Sequence, residues 1–255
     1  MGRKTLRNRY LYLVVLGSAF FSLVAVAQPY PYKPIRMLSA EVGGGADLAA
    51  RVIAQRMAVP LGKQVVVENR PGAGTTIGTE LATKATPDGH TLLVGPIGAA
   101  LIAQIYYKKS FDMRRDLAAI SKIGYGTIVL VVPPSLGVSS VKDLIALAKS
   151  KPGQLTFGSS GNLGSPHLAG ELFKLMTGVS MTHVPYKGAA AALTDVIAGR
   201  ISMSFASLPS AIGHVRSGRL RALAVTSEKR FSLVPELPSL NELGLTGFET
   251  SAWQG

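Results

Sequence analysis

Four times in this chain a short run of apolar and β-branched residues gives way to a turn and then to a helical pattern, and that repeat restricts the fold more than any other feature. The first case, Arg36 to Met57, passes through Ser39-Ala40-Glu41-Val42-Gly43-Gly44-Gly45-Ala46-Asp47. Gly43, Gly44 and Gly45 lack a Cβ, so the backbone can take left-handed torsions and leave its N–H groups open to a ligand; Asp47 stands where a helix begins. The first N–H groups of a helix have no intrahelical partner and lie at the positive end of its dipole, which suits an anion. The pattern returns at Val65 to Thr76 and at Leu155 to Pro166, where Ser165 reads as an N-cap and Pro166 as the first helical residue. A fourth case is His183 to Gly188 before Ala189 to Ala198. A single such turn is equally well an ordinary tight connection. Recurring at strand ends, they belong to the carboxyl edge where open α/β sheets bind ligands.

Strand candidates are Ile35–Ala40, Gln64–Glu68, His90–Gly95, Ala118–Ile123, Thr127–Val132, Gln154–Gly158, Met181–Val184, Ile201–Phe205 and Leu220–Thr226. Between most of them lie helical patterns at Ala46–Ala58, Thr75–Ala85, Ala99–Tyr107, Val141–Ser150, Ser165–Thr177, Ala189–Ala198 and Ser210–Ser217. This alternation predicts an α/β protein with mostly parallel sheets. Ser140 to Asp143 forms a capping box that marks one helix start. Pro133-Pro134 suggests a crossing into a second lobe, and Leu220–Thr226 a return. The expected division is 28–130 for the first lobe, 131–222 for the second and 223–255 for the return, with opposed helix N-termini lining the cleft between lobes. A few charge-assisted N–H bonds at about 1.5–3 kcal/mol each reach the ~8 kcal/mol of micromolar binding.

Met1–Ala27 stands apart. Arg3, Lys4, Arg7 and Arg9 precede an apolar run from Tyr10 to Val26 that ends in Ala25-Val26-Ala27, the form of a secretory signal cleaved after Ala27. An uncleaved anchor is the alternative, because the run approaches the ~18 residues that span a bilayer, but Gly17, Ser18 and Ser22 dilute it. The absence of cysteine excludes disulfides, thiolate metal sites, a Cys nucleophile and a lipidated N-terminal Cys. The expected location is therefore the periplasm. Four of the 27 basic residues lie in the leader, leaving 23 against 14 acidic ones. They are scattered without aromatic interleaving, which argues against nucleic acid and for a field attracting small anions.

Catalytic patterns are missing. Gly158-Ser159-Ser160-Gly161 falls short of a nucleophile elbow because Asn162 stands where the second glycine belongs. No P-loop lysine pattern or HExxH motif occurs, and neither a metal nor a cofactor is expected. The four histidines are dispersed; His167 alone falls in the first turn of a helix expected to face the cleft, with hydrogen-bonded packing as the alternative role.

Several stretches together resemble the Bug or TctC-like family, the periplasmic solute-binding receptors of tripartite tricarboxylate transporters. They are Val67–Gly74 with Ile77-Gly78, Pro87–Gly89, His167–Phe173, His183–Gly188 and Leu220–Ser227. The resemblance covers Tyr30 to Gly255. It implies a periplasmic binding protein-like (type II) fold whose two α/β lobes close on a small organic carboxylate, a di- or tricarboxylate, acidic amino acid or aromatic acid, for delivery to a membrane permease. Many members of that family look like orphans without an adjacent permease. Carried onto this chain, the implied ligand contacts are Glu41, Gly43, Gly44, Ala46 and Asp47 in the first lobe with Thr76, and Ser159, Gly161, Asn162, Ser165 and His167 in the second with Ala206. The resemblance implies no enzyme. A sensory receptor signalling to a membrane kinase is the runner-up, followed by an exported enzyme or a shortened, non-binding remnant.

The chain departs from its relatives at three points. Ser39-Ala40-Glu41-Val42 replaces a turn containing proline and an aromatic residue, which places a carboxylate beside a carboxylate site. Ala206 stands where relatives often carry Asp. The chain stops at Gly255, where relatives continue. A buried Glu41 would cost several kcal/mol unless protonated, turned to solvent or paired. This leaves two readings: a ligand with an amino, amide or pyridine nitrogen beside its carboxylate, or a Glu41 pointing into solvent at the mouth.

Overall fold

The computed structural model describes residues 29–39 and 41–255, so the signal segment expected at Met1–Ala27 lies outside the described residues. Residues 29–32 form a short lead-in with a cis Tyr30–Pro31 peptide. Lys33–Gly255 folds as one unit containing two sheets.

The first sheet is built on β1 (Ile35–Ser39), which is flanked in parallel by β2 (Val65–Asn69) and β3 (Thr91–Val94). Helix α1 (Gly45–Leu61) packs on it through Ala46, Ala50 and Ala54, spaced four apart so that one small-residue face meets Met37 and Val94. Its end is closed by Gly62, whose positive φ of 61° lets its N–H reach the Val59 carbonyl. Helices α2 (Thr76–Thr83) and α3 (Ile97–Tyr106) follow β2 and β3. A single turn, α4 (Met113–Asp116), is capped by Asp112, whose side chain accepts from the Arg114 N–H.

The second sheet has the order β6-β5-β7-β4-β8, made of β4 (Gly124–Val132), β5 (Thr156–Ser159), β6 (Thr182–Pro185), β7 (Met203–Ser207) and β8 (Arg221–Val225). β5 lies parallel to β6 and β7, whereas β4 is antiparallel to β7 and β8. The last strand, β9 (Ser251–Gln254), pairs antiparallel with Gly124–Thr127 at the start of β4. Ile128 to Val132 are fully buried and alternate between two cores. Ile128, Leu130 and Val132 join Phe157, Phe173 and Phe205, while Val129 and Val131 join Leu193, Val196 and Val225. This period of two is what a strand covered on both faces requires. The covers are α5 (Val141–Ser150), α6 (Ser165–Thr177), α7 (Ala189–Ile197) and α8 (Leu208–Arg216).

The expected strand at Ala118–Ile123 does not form. Those residues are all exposed, with Ile120 at 79 %, so they have no face to bury; pairing begins only at their end, where the Ile123 N–H donates to the Gln254 carbonyl and β4 starts at Gly124. Ser140 caps α5 as its pattern required, accepting from the Asp143 N–H at 3.1 Å, while Asp143 accepts from the Ser139 N–H and hydroxyl. Ser165, expected as an N-cap, is instead the first residue of α6, and Gly164 takes the cap position. Among the described residues no helix is long and apolar enough to cross a membrane.

Candidate functional site

A cavity of about 220 Å³ lies where turns from both sheets meet. The N-terminal ends of five helices contribute to its wall: Gly45 of α1, the caps Thr75 of α2 and Pro96 of α3, Gly164 and Ser165 of α6, and the cap Ser207 of α8. In α1, α2, α3, α6 and α8 no side chain of the cap residue closes the helix end. Several positive dipole ends therefore converge on one space. The turns that line it are strained: Ala73, Thr75 and Leu163 are non-glycine residues with φ of 45°, 77° and 61°, and Ala73 and Thr75 face the cavity. The Thr75 hydroxyl is buried without a hydrogen-bond partner among the described residues.

The two sides touch around the cavity. Val42 forms a parallel bridge with Gly188, and the Gly43 carbonyl accepts from the Ser210 hydroxyl at 2.7 Å. On the far side Gly74 packs against Ala103, the Asn162 carbonyl and Leu163. Gly188, with φ of 151°, allows the first contact, because a Cβ there would stand 2.5 Å from the Val42 carbonyl oxygen.

Two side chains in the lining carry charge, Glu41 and Lys187. Glu41 is half-buried, and its carboxylate lies over Gly44, accepting from the Ser160 hydroxyl and the Ala46 N–H. Burial pushes its carboxyl pKa up and Asp47 adds to this, while the two donors act in the other direction. Glu41 thus faces the cavity and does not turn out to solvent. Asp47, at 3 % exposure, is engaged elsewhere. It accepts from the Gly43 N–H at 2.9 Å, Asn69 Nδ2 at 2.8 Å and Arg51 Nε at 3.0 Å. Burial alone would raise its pKa, but these donors bring it below the usual carboxylate value.

Of the site residues read from the sequence, Glu41, Gly161, Asn162 and Ser165 line the cavity. Gly43, Gly44 and Ala46 shape the turn behind Glu41. Thr76 is buried with its hydroxyl on the Ala73 carbonyl, and Ala206 lies within the core of the second sheet. Ser159 is buried, accepting from the Gly161 N–H at 3.2 Å and standing 2.7 Å from His183 Nε2. His167 accepts from the Leu163 N–H through Nδ1 and stacks on His183 with ring centroids 4.0 Å apart. Burial, then the neighbouring His167, lowers His183 to about 4, so the imidazole is neutral. The Ser159–His183 pair ties the 159–167 turn to β6. Ser160, Lys187, Ser207 and Gln254 were missed as lining residues. The first three sit at strand ends, a signal already present in the sequence, whereas Gln254 reaches the cavity through β9, whose short pattern gave none.

Two α/β sheets with a cavity walled by helix N-termini from both define a two-lobed solute-binding protein of the periplasmic type. The chain belongs to the family described as TctC, tripartite tricarboxylate transporter family receptor, whose model matches residues 49–255. Protein BugT of Bordetella pertussis is 37% identical in an alignment of 253 residues that covers 94% of this chain and 76% of BugT. The UPF0065 protein of the tcbD-tcbE intergenic region in Pseudomonas sp. strain P51 is 37% identical over 228 residues, 89% of this chain and 68% of that protein. Among solved structures, Rpa4515 of R. palustris with adipate matches with a TM-score of 0.82 at 34% identity, over 88% of this chain and 76% of that one. MatC of Rhodopseudomonas palustris with bound malate matches with a TM-score of 0.82 at 25% identity, over 89% and 78%. The periplasmic binding protein BugD matches at 0.83 and 30% identity, over 89% and 76%. The family consists of receptors, in line with the lack of catalytic patterns in the sequence, and is not enzymatic.

Proposed function

We propose that this chain is a periplasmic receptor that captures a small carboxylate in the cavity between its sheets and delivers it to a membrane permease. The convergence of five helix N-termini on one cavity carries the reading. It is supported by the unpartnered Thr75 hydroxyl and by the adipate and malate held by its relatives Rpa4515 and MatC. In this proposal Gly161, Asn162 and Ser165 present donors to the ligand, and Gly43, Ala46, Asp47, Ser159 and His167 hold the two turns in shape. The lobes divide near 28–130 and 131–222 with the return over 223–255. The pairings support a crossing within β4, whose first residues pair with β9 and whose residues from Ile128 onward lie between β7 and β8, with β8 as the neighbouring return strand.

Thermal unfolding of the purified protein with C4 to C6 dicarboxylates, citrate, acidic amino acids and nicotinate tests the capture step. A ligand at ~100 times its dissociation constant adds about 2.7 kcal/mol and raises the transition. If no member of the panel moves it, the receptor reading fails.

A further inference from the structure

Glu41 and Lys187 give the cavity wall one negative and one positive side chain, and the surroundings of Glu41 show which ligand chemistry suits it. An ionised carboxylate offers about four acceptor positions. The Ser160 hydroxyl and the Ala46 N–H use two, leaving acceptor capacity toward the cavity. Among the described residues no cation pairs with it. Arg51 is committed to Asp47 and Asn69, and no ion pair of Glu41 occurs among the described residues. The charged groups around Glu41 are Asp47, of like sign and itself saturated by Gly43, Asn69 and Arg51, and Lys187 of the lining.

We infer that the cavity selects a ligand bearing one carboxylate and one amino nitrogen, with the nitrogen on Glu41 and the carboxylate on the helix N-termini and Lys187. This inference rests on the receptor reading and adds the chemical class of its ligand. A dicarboxylate of the same length places its second negative charge against Glu41, whereas an ammonium group supplies the donors and the charge that Glu41 lacks.

Matched pairs that differ at one end provide the test: 6-aminohexanoate against adipate, and 4-aminobutyrate against succinate, titrated calorimetrically into wild type and Glu41→Gln. Wild type should hold the amino member of at least one pair about tenfold or more tighter than its dicarboxylate, a difference of ~1.4 kcal/mol. Glu41→Gln should erase that preference by weakening the amino acid and strengthening the dicarboxylate. Wild-type preference for the dicarboxylate in both pairs overturns the inference while leaving the receptor reading intact, and this result needs no variant to fold. An unchanged preference in a folded Glu41→Gln protein overturns it equally. Failure of both pairs while other panel carboxylates bind overturns the inference alone; failure of every carboxylate overturns both readings.

Discussion

Replacing Asp47 by alanine tests whether the first turn is held by that residue or whether Asp47 serves the ligand directly. Its carboxylate is almost fully buried and accepts from the Gly43 N–H, Asn69 Nδ2 and Arg51. Arg51 is half-exposed, so on losing its partner it turns to water at little cost. Gly43 and Asn69 lose an acceptor each. Asn69 keeps one amide hydrogen on the Glu41 carbonyl at 2.9 Å, leaving its other hydrogen and the Gly43 N–H without a partner. Two bonds to a charged acceptor at ~1.5–3 kcal/mol each put the loss at about 3–6 kcal/mol. For a chain of this size that lowers the midpoint of thermal unfolding by roughly 6–24 °C. The assay is calorimetric unfolding of wild type and Asp47→Ala without ligand, repeated at falling pH. A carboxylate with a lowered folded pKa contributes stability above its unfolded value of 3.8 and loses it as pH falls through the folded value. The gap between the proteins should thus be full at pH 7 and close in acid. A ligand-free difference below about 2 °C at pH 7, or a gap that widens on acidification, would refute the reasoning.

Gly188→Ala should cost about 1–3 kcal/mol and weaken ligand binding, since its Cβ meets the Val42 carbonyl at a backbone angle that L residues rarely adopt. Gly218→Ala, at φ of 71° with open space around it, serves as the control, with a smaller loss of stability and unchanged affinity. His183→Gln should flatten the acid limb of stability. A histidine held near 4 stabilises the fold fully above its ordinary value of 6.5 and loses that contribution as pH falls toward 4, so wild type should lose more midpoint temperature between pH 7 and 5 than the variant. Phe157→Ala should lower stability by about 3–5 kcal/mol in chemical denaturation, because the fully buried ring packs against His183, Phe173 and the Gly170 backbone.

The elements most legible in the sequence were those whose own residues decide them. α5 and α6 run over the residues their patterns marked, because a capping box starts one and Pro166 stands in the first turn of the other. β4 was legible in its buried half, where every residue from Ile128 to Val132 is apolar. Its start was not, since Gly124 to Gly126 become strand through pairing with β9, more than a hundred residues away. Ala118–Ile123 misled for the opposite reason: its composition suits a strand, but β9 reaches only its last residue, and the segment stays exposed.

The site shows the same division at the scale of single residues. Sequence could place Glu41 and Asp47 on one turn at the start of α1, and nothing local distinguishes two carboxylates so close together. The fold does so by distributing donors. Asn69 at the end of β2 and the Gly43 N–H turn to Asp47, and Arg51 follows one helical turn later. Glu41 receives the Ala46 N–H and, from the other sheet, Ser160. One carboxyl is consequently driven down and the other up, although they occupy the same loop. Asp47, stabilised as an anion and closed off from the cavity, builds the site; Glu41, half-buried, short of positive charge and in the wall, is the group that a ligand must satisfy. That assignment depends on which strands end beside the turn, and so it becomes visible only once β1, β2 and β5 are in place.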